Sequence, residues 1–119
     1  MKAEDKEVLM EAGIDVADTL ERFMGSEDLM MKFLLRFPQD ESFVQMKQAL
    51  EANNAEEACK AAHSLKGLAG NLGMKRLFQA ASAVVEDLRK GDLKTAQAER
   101  EAVDLEYQQV MQALQTVKQ

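Results

Sequence analysis

Apolar residues recur along this chain at the three- and four-residue spacing of amphipathic helices, and the breaks between the runs carry recognisable stop and start residues. Lys6 to Ala12 predicts a short helix stopped at Gly13. Asp15 is placed to cap a second helix carrying Val16, Leu20, Phe23 and Met24 up to Gly25. Ser26 offers the next cap, for Glu27 to Arg36, whose Leu29, Met30, Phe33, Leu34 and Phe37 form an apolar stripe. Pro38 breaks or kinks the chain. A further helix from about Asp40 to Ala52 turns Phe43, Met46, Ala49 and Leu50 inward, and Asn53-Asn54 marks a tight turn.

Three longer helices follow. Ala55 to about Leu72 is the first, with Gly73 as its terminating residue. Met74 to Lys90 is the second, with a buried stripe of Leu77, Ala81, Val84 and Leu88 and a stop at Gly91. Asp92 caps the last, from Leu93 to near Val117, whose Ala96, Val103, Tyr107, Val110, Met111, Leu114 and Val117 can cover a bundle. Short connections between long helices make neighbours antiparallel. The expected fold is all-α: an up-and-down antiparallel four-helix bundle with short N-terminal helices, one domain spanning residues 1–119.

Composition narrows the setting. With 46% hydrophobic residues, one proline and no tryptophan, the chain favours helix throughout, and 119 residues suffice for a core without staples. Cys59 is the sole cysteine, so no internal disulfide can form, which suits a reducing compartment. No apolar run resembles a signal peptide or a membrane span, and a cytoplasmic, soluble protein that engages no membrane is expected. The formal net charge of −6 argues against nucleic-acid binding, which demands a basic face. Charge is nevertheless uneven: between Glu57 and Glu86 there is no acid, while Lys60, Lys66, Lys75 and Arg76 form a basic island. At its centre is His63, the only histidine.

At about 100° per residue, Glu56, Cys59, Lys60, Lys66, Gly67 and Gly70 fall within roughly 60° of His63. Ala58, Ala61, Ala62, Leu65, Leu68, Ala69 and Leu72 occupy the opposite face, so the imidazole points away from the core. Glycine within a helix costs on the order of 1 kcal/mol relative to alanine, and Gly67 and Gly70 lie one and two turns beyond His63 on its own face. Their use is clearance, so that another surface can approach the helix beside the ring, or else close packing of a neighbouring helix. Lys66, one turn away, supplies a mobile positive charge suited to an anionic group on the imidazole.

The run His63-Ser64-Leu65-Lys66-Gly67, with Gly73 following, resembles the signature of histidine-containing phosphotransfer (HPt) domains, the phosphorelay modules of two-component signalling. The resemblance extends over nearly the whole chain. It implies that His63 takes and gives the phosphoryl group, that Lys66 steadies it, and that Gly67 leaves room for the partner. One position departs from the pattern. Where many members carry a glutamate or glutamine that hydrogen-bonds the imidazole, this chain has Val85, with Glu86 one residue and about 100° further on. Ser82, one turn earlier on the same flank, is a candidate stand-in for that orienting and phosphoryl-supporting role. Val85 itself is expected beside an apolar flank of Met74, Phe78 and Ala81, available for docking.

Other chemistries are weak. Glu56, Cys59 and His63 share a face, but without a second histidine or a paired cysteine they make a poor zinc set, and no metal site is expected. No glycine-rich phosphate loop suggests ATP binding or self-phosphorylation. Cys59 as a nucleophile with His63 as its base lacks an orienting third residue. The expectation is a free-standing, monomeric phosphohistidine carrier without kinase activity or bound cofactor. Its implied partners are response-regulator receiver domains, which bring the divalent metal, and a hybrid sensor kinase. The alternatives are a helical adaptor that docks a receiver without phosphotransfer, and a plain structural bundle, which leaves the glycines and the basic island unexplained.

Overall fold

The structure, a computed structural model, describes residues 1–118. Its helices are α1 (Ala3–Glu11), α2 (Val16–Arg22), α3 (Glu27–Arg36), α4 (Ser42–Glu51), α5 (Ala55–Asn71), α6 (Lys75–Arg89) and α7 (Leu93–Val117), with a 3₁₀ turn at Phe37–Gln39 after α3. The start signals read from the sequence operate as hydrogen bonds. The side chains of Asp15, Ser26 and Asp92 accept from the backbone N–H of Asp18 (3.0 Å), Leu29 (3.2 Å) and Thr95 (3.1 Å). Asn54 does the same for α5, accepting from Glu57 N–H at 3.2 Å, while Asn53 takes the left-handed turn conformation at φ 56°. Asp40 lies outside α4 and not within it: its carboxylate accepts from Ser42 N–H at 2.9 Å, and the helix begins there.

α5 packs between α4 and α6, α6 packs between α5 and α7, and α1 lies along α7. Each successive pair of α4 to α7 is joined by a three-residue connection, which makes the neighbours antiparallel. Aromatic stacking closes the ring of four: Tyr107 of α7 lies against Phe43 of α4, centroids 3.8 Å apart, and tilts against Phe37 at 5.7 Å. The inward stripes predicted for α4 and α6 are buried, as is that of α7 apart from the half-buried Met111.

The N-terminal part departs from expectation in three places, the first being that α1 begins at Ala3 and not at Lys6. α2 stops at Arg22, and Met24 is left-handed (φ 56°) and 94% exposed instead of core-facing, because the chain must reverse before Ser26 to start α3. On α3 only Met30 and Leu34 of the apolar stripe are buried, with Phe37 just beyond, while Leu29 and Phe33 remain 41% and 39% exposed. The Phe33 ring instead stacks on Phe23 at 5.3 Å.

One clamp bears directly on the site. The turn after α5 is fastened to the α1–α2 turn by Asp15 N–H to the Gly73 carbonyl (2.8 Å) and Lys75 N–H to the Gly13 carbonyl (2.9 Å). Thr19, fully buried, donates its hydroxyl proton toward the carbonyls of Asp15 (2.7 Å) and Leu72 (3.1 Å). Gly73 sits at φ +68°, and a Cβ there would collide with Thr19 Oγ1, so both conformation and space demand glycine. The C-terminal end of α5 is thereby held on two sides.

Candidate functional site

The face of α5 opposite His63 is the most completely buried surface of that helix: Ala58, Ala61, Ala62, Leu65, Ala69 and Leu72 are all in the core. Four of the six are alanines, so α4 and α6 approach α5 closely and fix its rotation. A helix immobilised by that face presents its opposite side to solvent. His63 is exposed there, and no hydrogen bond ties its imidazole to another of the described residues.

The two glycines beside the ring do different work. A Cβ built on Gly67 meets nothing within 4 Å, so one turn beyond His63 the backbone is open to an approaching surface. A Cβ on Gly70 would come within 3.1 Å of Cδ1 and Cε1 of Phe78. Gly70 therefore makes room for the Phe78 ring of α6, the packing use that its spacing also allows. The Phe78 ring fills the space that the missing side chain leaves. Both glycines border a groove of about 530 Å³ between α2, α5 and α6, whose rim also carries Arg22, Lys75 and Gln79. Arg22 reaches across to the Gly70 carbonyl at 2.9 Å and supplies a donor to the last turn of α5.

Among the described residues the basic island resolves into one uncommitted charge and three engaged ones. Lys60 lies 3.7 Å from Glu56 and 3.5 Å from Glu57; Lys75 lies 3.3 Å from Asp15; Arg76 binds Glu106 at 2.9 Å. Lys75 helps to hold the Asp15 carboxyl below the usual range, after the larger effect of the Asp18 N–H that it caps. Among the described residues no carboxylate stands within ion-pair distance of Lys66. Its ammonium lies instead over the face of Phe78, 5.7 Å from the ring centroid, which keeps it on the flank of α5 one turn from His63. Phe78 thus serves both neighbours of His63, seating Lys66 and occupying the notch of Gly70. Sequence spacing within α5 carries no sign of this, because the contact comes from another helix.

Two residues expected near the ring take different places. Val85 is 1% exposed, and Met74 and Ala81 of its supposed flank are fully buried, so Val85 offers no docking surface. The cause is that α6 has neighbours on two sides, and its apolar arc is wider than the single stripe of Leu77, Ala81, Val84 and Leu88. Ser82 is half-buried and donates its hydroxyl proton to the Phe78 carbonyl of its own helix at 2.7 Å, leaving His63 without that contact. Among the described residues no group of three or more His, Cys, Asp or Glu side chains is placed to hold a metal ion, and Glu56 is paired with Lys60.

An exposed imidazole, an open backbone flank and one uncommitted cation on a rigid helix suit reversible transfer of an anionic group to a docked protein. Comparison with curated proteins and with solved structures gives no significant match. Comparison with protein families gives one that bears on the whole bundle: the family described as the Hpt domain matches residues 28–115, from the start of α3 almost to the end of α7. That span is well over half of the chain and contains His63, Lys66 and Gly67. The chain belongs to the Hpt domain family, the helical histidine-phosphotransfer modules of two-component phosphorelays.

Proposed function

We propose that this chain carries a phosphoryl group between two receiver domains as a phosphohistidine on His63. A ring nitrogen attacks the phosphorus of an aspartyl phosphate on the first receiver. The N–P bond forms as the P–O bond to the aspartate breaks, and the bonding pair leaves with the carboxylate. Delivery to the second receiver reverses the step: its aspartate oxygen forms the new P–O bond and the imidazole is the leaving group. No nucleotide is consumed, so the chain acts as a carrier and not as a kinase. The receiver brings the acidic pocket, the divalent metal and most of the transition-state stabilisation. This chain brings an accessible nucleophile, room beside it and a nearby cation.

The observation that carries the reading is the conjunction of exposed His63 with the empty space at Gly67 and with Lys66, which no carboxylate pairs among the described residues. Its partners on this reading are response-regulator receivers and a hybrid sensor kinase, met by a cytoplasmic monomer that needs no cofactor of its own. No helix of the described residues is long and apolar enough to cross a membrane. A non-catalytic adaptor that docks a receiver draws support from Val85, since a valine there supplies no carboxyl or amide to orient the imidazole. The two readings separate when the chain is mixed with a panel of phosphorylated receivers from the same cell. Acid-labile, base-stable phosphate appearing on the chain supports the carrier; stable binding with no phosphate moved supports the adaptor.

A further inference from the structure

The end of the bundle formed by α6, its connection and α7 contains a carboxyl group in an unusual position. Ala96, Val103, Val110 and Val117 of α7 recur every seven residues and are buried. Glu99 lies three residues after the first and four before the second, which sets it on the same seam. Its side chain is half-buried, and its Oε1 is shielded from solvent with no hydrogen-bond partner among the described residues. An ionised carboxylate in such a place is costly, since it has lost water without gaining a proton donor or a cation.

The surrounding charges make ionisation harder still. From α6, Asp87 lies against the Glu99 carboxyl and Glu86 is close by; from the connection, Asp92 adds a third negative charge, itself faced by Lys90. No cation pairs with Glu99 among the described residues. Arg100, its neighbour on α7, is turned to Glu51 of α4 at 3.3 Å and to Asp104 at 3.6 Å. Two carboxyl groups pressed together without a cation are stable only when a proton lies between them.

We propose that Glu99 retains a proton and donates it to the Asp87 carboxylate, so that a carboxyl–carboxylate hydrogen bond fastens α7 to α6 and this end of the bundle loosens when the proton is lost. Burial, followed by the hydrogen bond and charge of Asp87, pushes the Glu99 carboxyl from its ordinary 4.5 up to about 7. A group raised in the folded state binds more protons there than in the unfolded chain. Its contribution is fully present below about 4.5 and is lost as pH rises through about 7.

The test is thermal unfolding of the full chain from pH 5 to pH 8.5, with Glu99→Gln beside the wild type. Glutamine keeps the donor to Asp87 and removes the titration. The wild type is expected to lose about 3–6 °C in Tm between pH 6 and pH 8, whereas Glu99→Gln stays level and melts higher at pH 8. Parallel pH profiles for the two proteins would overturn the proposal. So would a rise in wild-type Tm with added Ca²⁺ at pH 8 that Glu99→Gln abolishes, because the pair would then be holding a cation and not a proton. Should the variant fold poorly, the carboxyl ¹³C shift of Glu99 in the wild type decides: a midpoint near 7 supports the shared proton, and one below 5 refutes it.

Discussion

Replacing Gly67 and Gly70 by alanine, one at a time, distinguishes two uses of glycine on a single helix face. At Gly67 the added methyl meets nothing within 4 Å and the backbone is ordinary helix, so the substitution gains the propensity difference, about 1 kcal/mol. For a chain of this size that is a rise in Tm of roughly 3–6 °C. At Gly70 the same methyl sits 3.1 Å from two ring carbons of Phe78, closer than the roughly 3.5–4.0 Å of a relaxed carbon contact. The ring must yield, and it is also the seat of Lys66, so an overpacking cost of about 1–3 kcal/mol offsets or exceeds the propensity gain. Urea or thermal denaturation should therefore rank Gly67→Ala above the wild type, with Gly70→Ala level with it or below. Equal stabilisation by both would show that Phe78 moves freely and that Gly70 has no packing role. In the folded Gly67→Gln protein, transfer from a phosphorylated receiver should fail, because the longer side chain stands where the partner approaches. Normal transfer would refute the clearance argument.

The remaining expectations concern the flanks of His63. Lys66→Ala should slow phosphoryl acceptance and shorten the life of the phosphorylated form by about two- to five-fold, the equivalent of roughly 0.5–1 kcal/mol for a partly exposed charge pair; an unchanged lifetime would remove Lys66 from the site. Val85→Glu should destabilise the bundle by about 2–4 kcal/mol in a urea titration and should not restore an orienting acid, because the carboxyl would be placed in the core. A Val85→Glu protein as stable as the wild type would show that this part of α6 can turn its side chain outward.

Much of this architecture is legible along the chain because local chemistry sets it. Asp15, Ser26 and Asp92 cap helices through their own backbone neighbours, and Gly73 stops α5 where a left-handed residue is needed. The rotation of α5 is legible for a related reason: a face of alanines and leucines has one way to bury itself, and His63 lies opposite. What escapes is set by neighbours distant in sequence. A helical wheel says which side Val85 and Gly70 face on their own helices, but not that α6 is enclosed on two sides or that the Phe78 ring comes to rest against Gly70. The clamp of Thr19 on Leu72 and the reach of Arg22 to Gly70 span 53 and 48 residues and leave no periodic trace. Met24 escapes for a smaller reason, since its apolar character says core whereas the reversal before Ser26 requires a left-handed residue there.

If His63 is the nucleophile and contributes nothing to the core, one paired measurement shows both. Wild type and His63→Gln are incubated with the same phosphorylated receiver, the phosphate on each chain is quantified at neutral pH, and the two proteins are melted side by side. Acid-labile phosphate is expected on the wild type, none on His63→Gln, and equal melting temperatures within about 1 °C. Phosphate on the His63→Gln chain, or a large loss of stability in that variant, would contradict it.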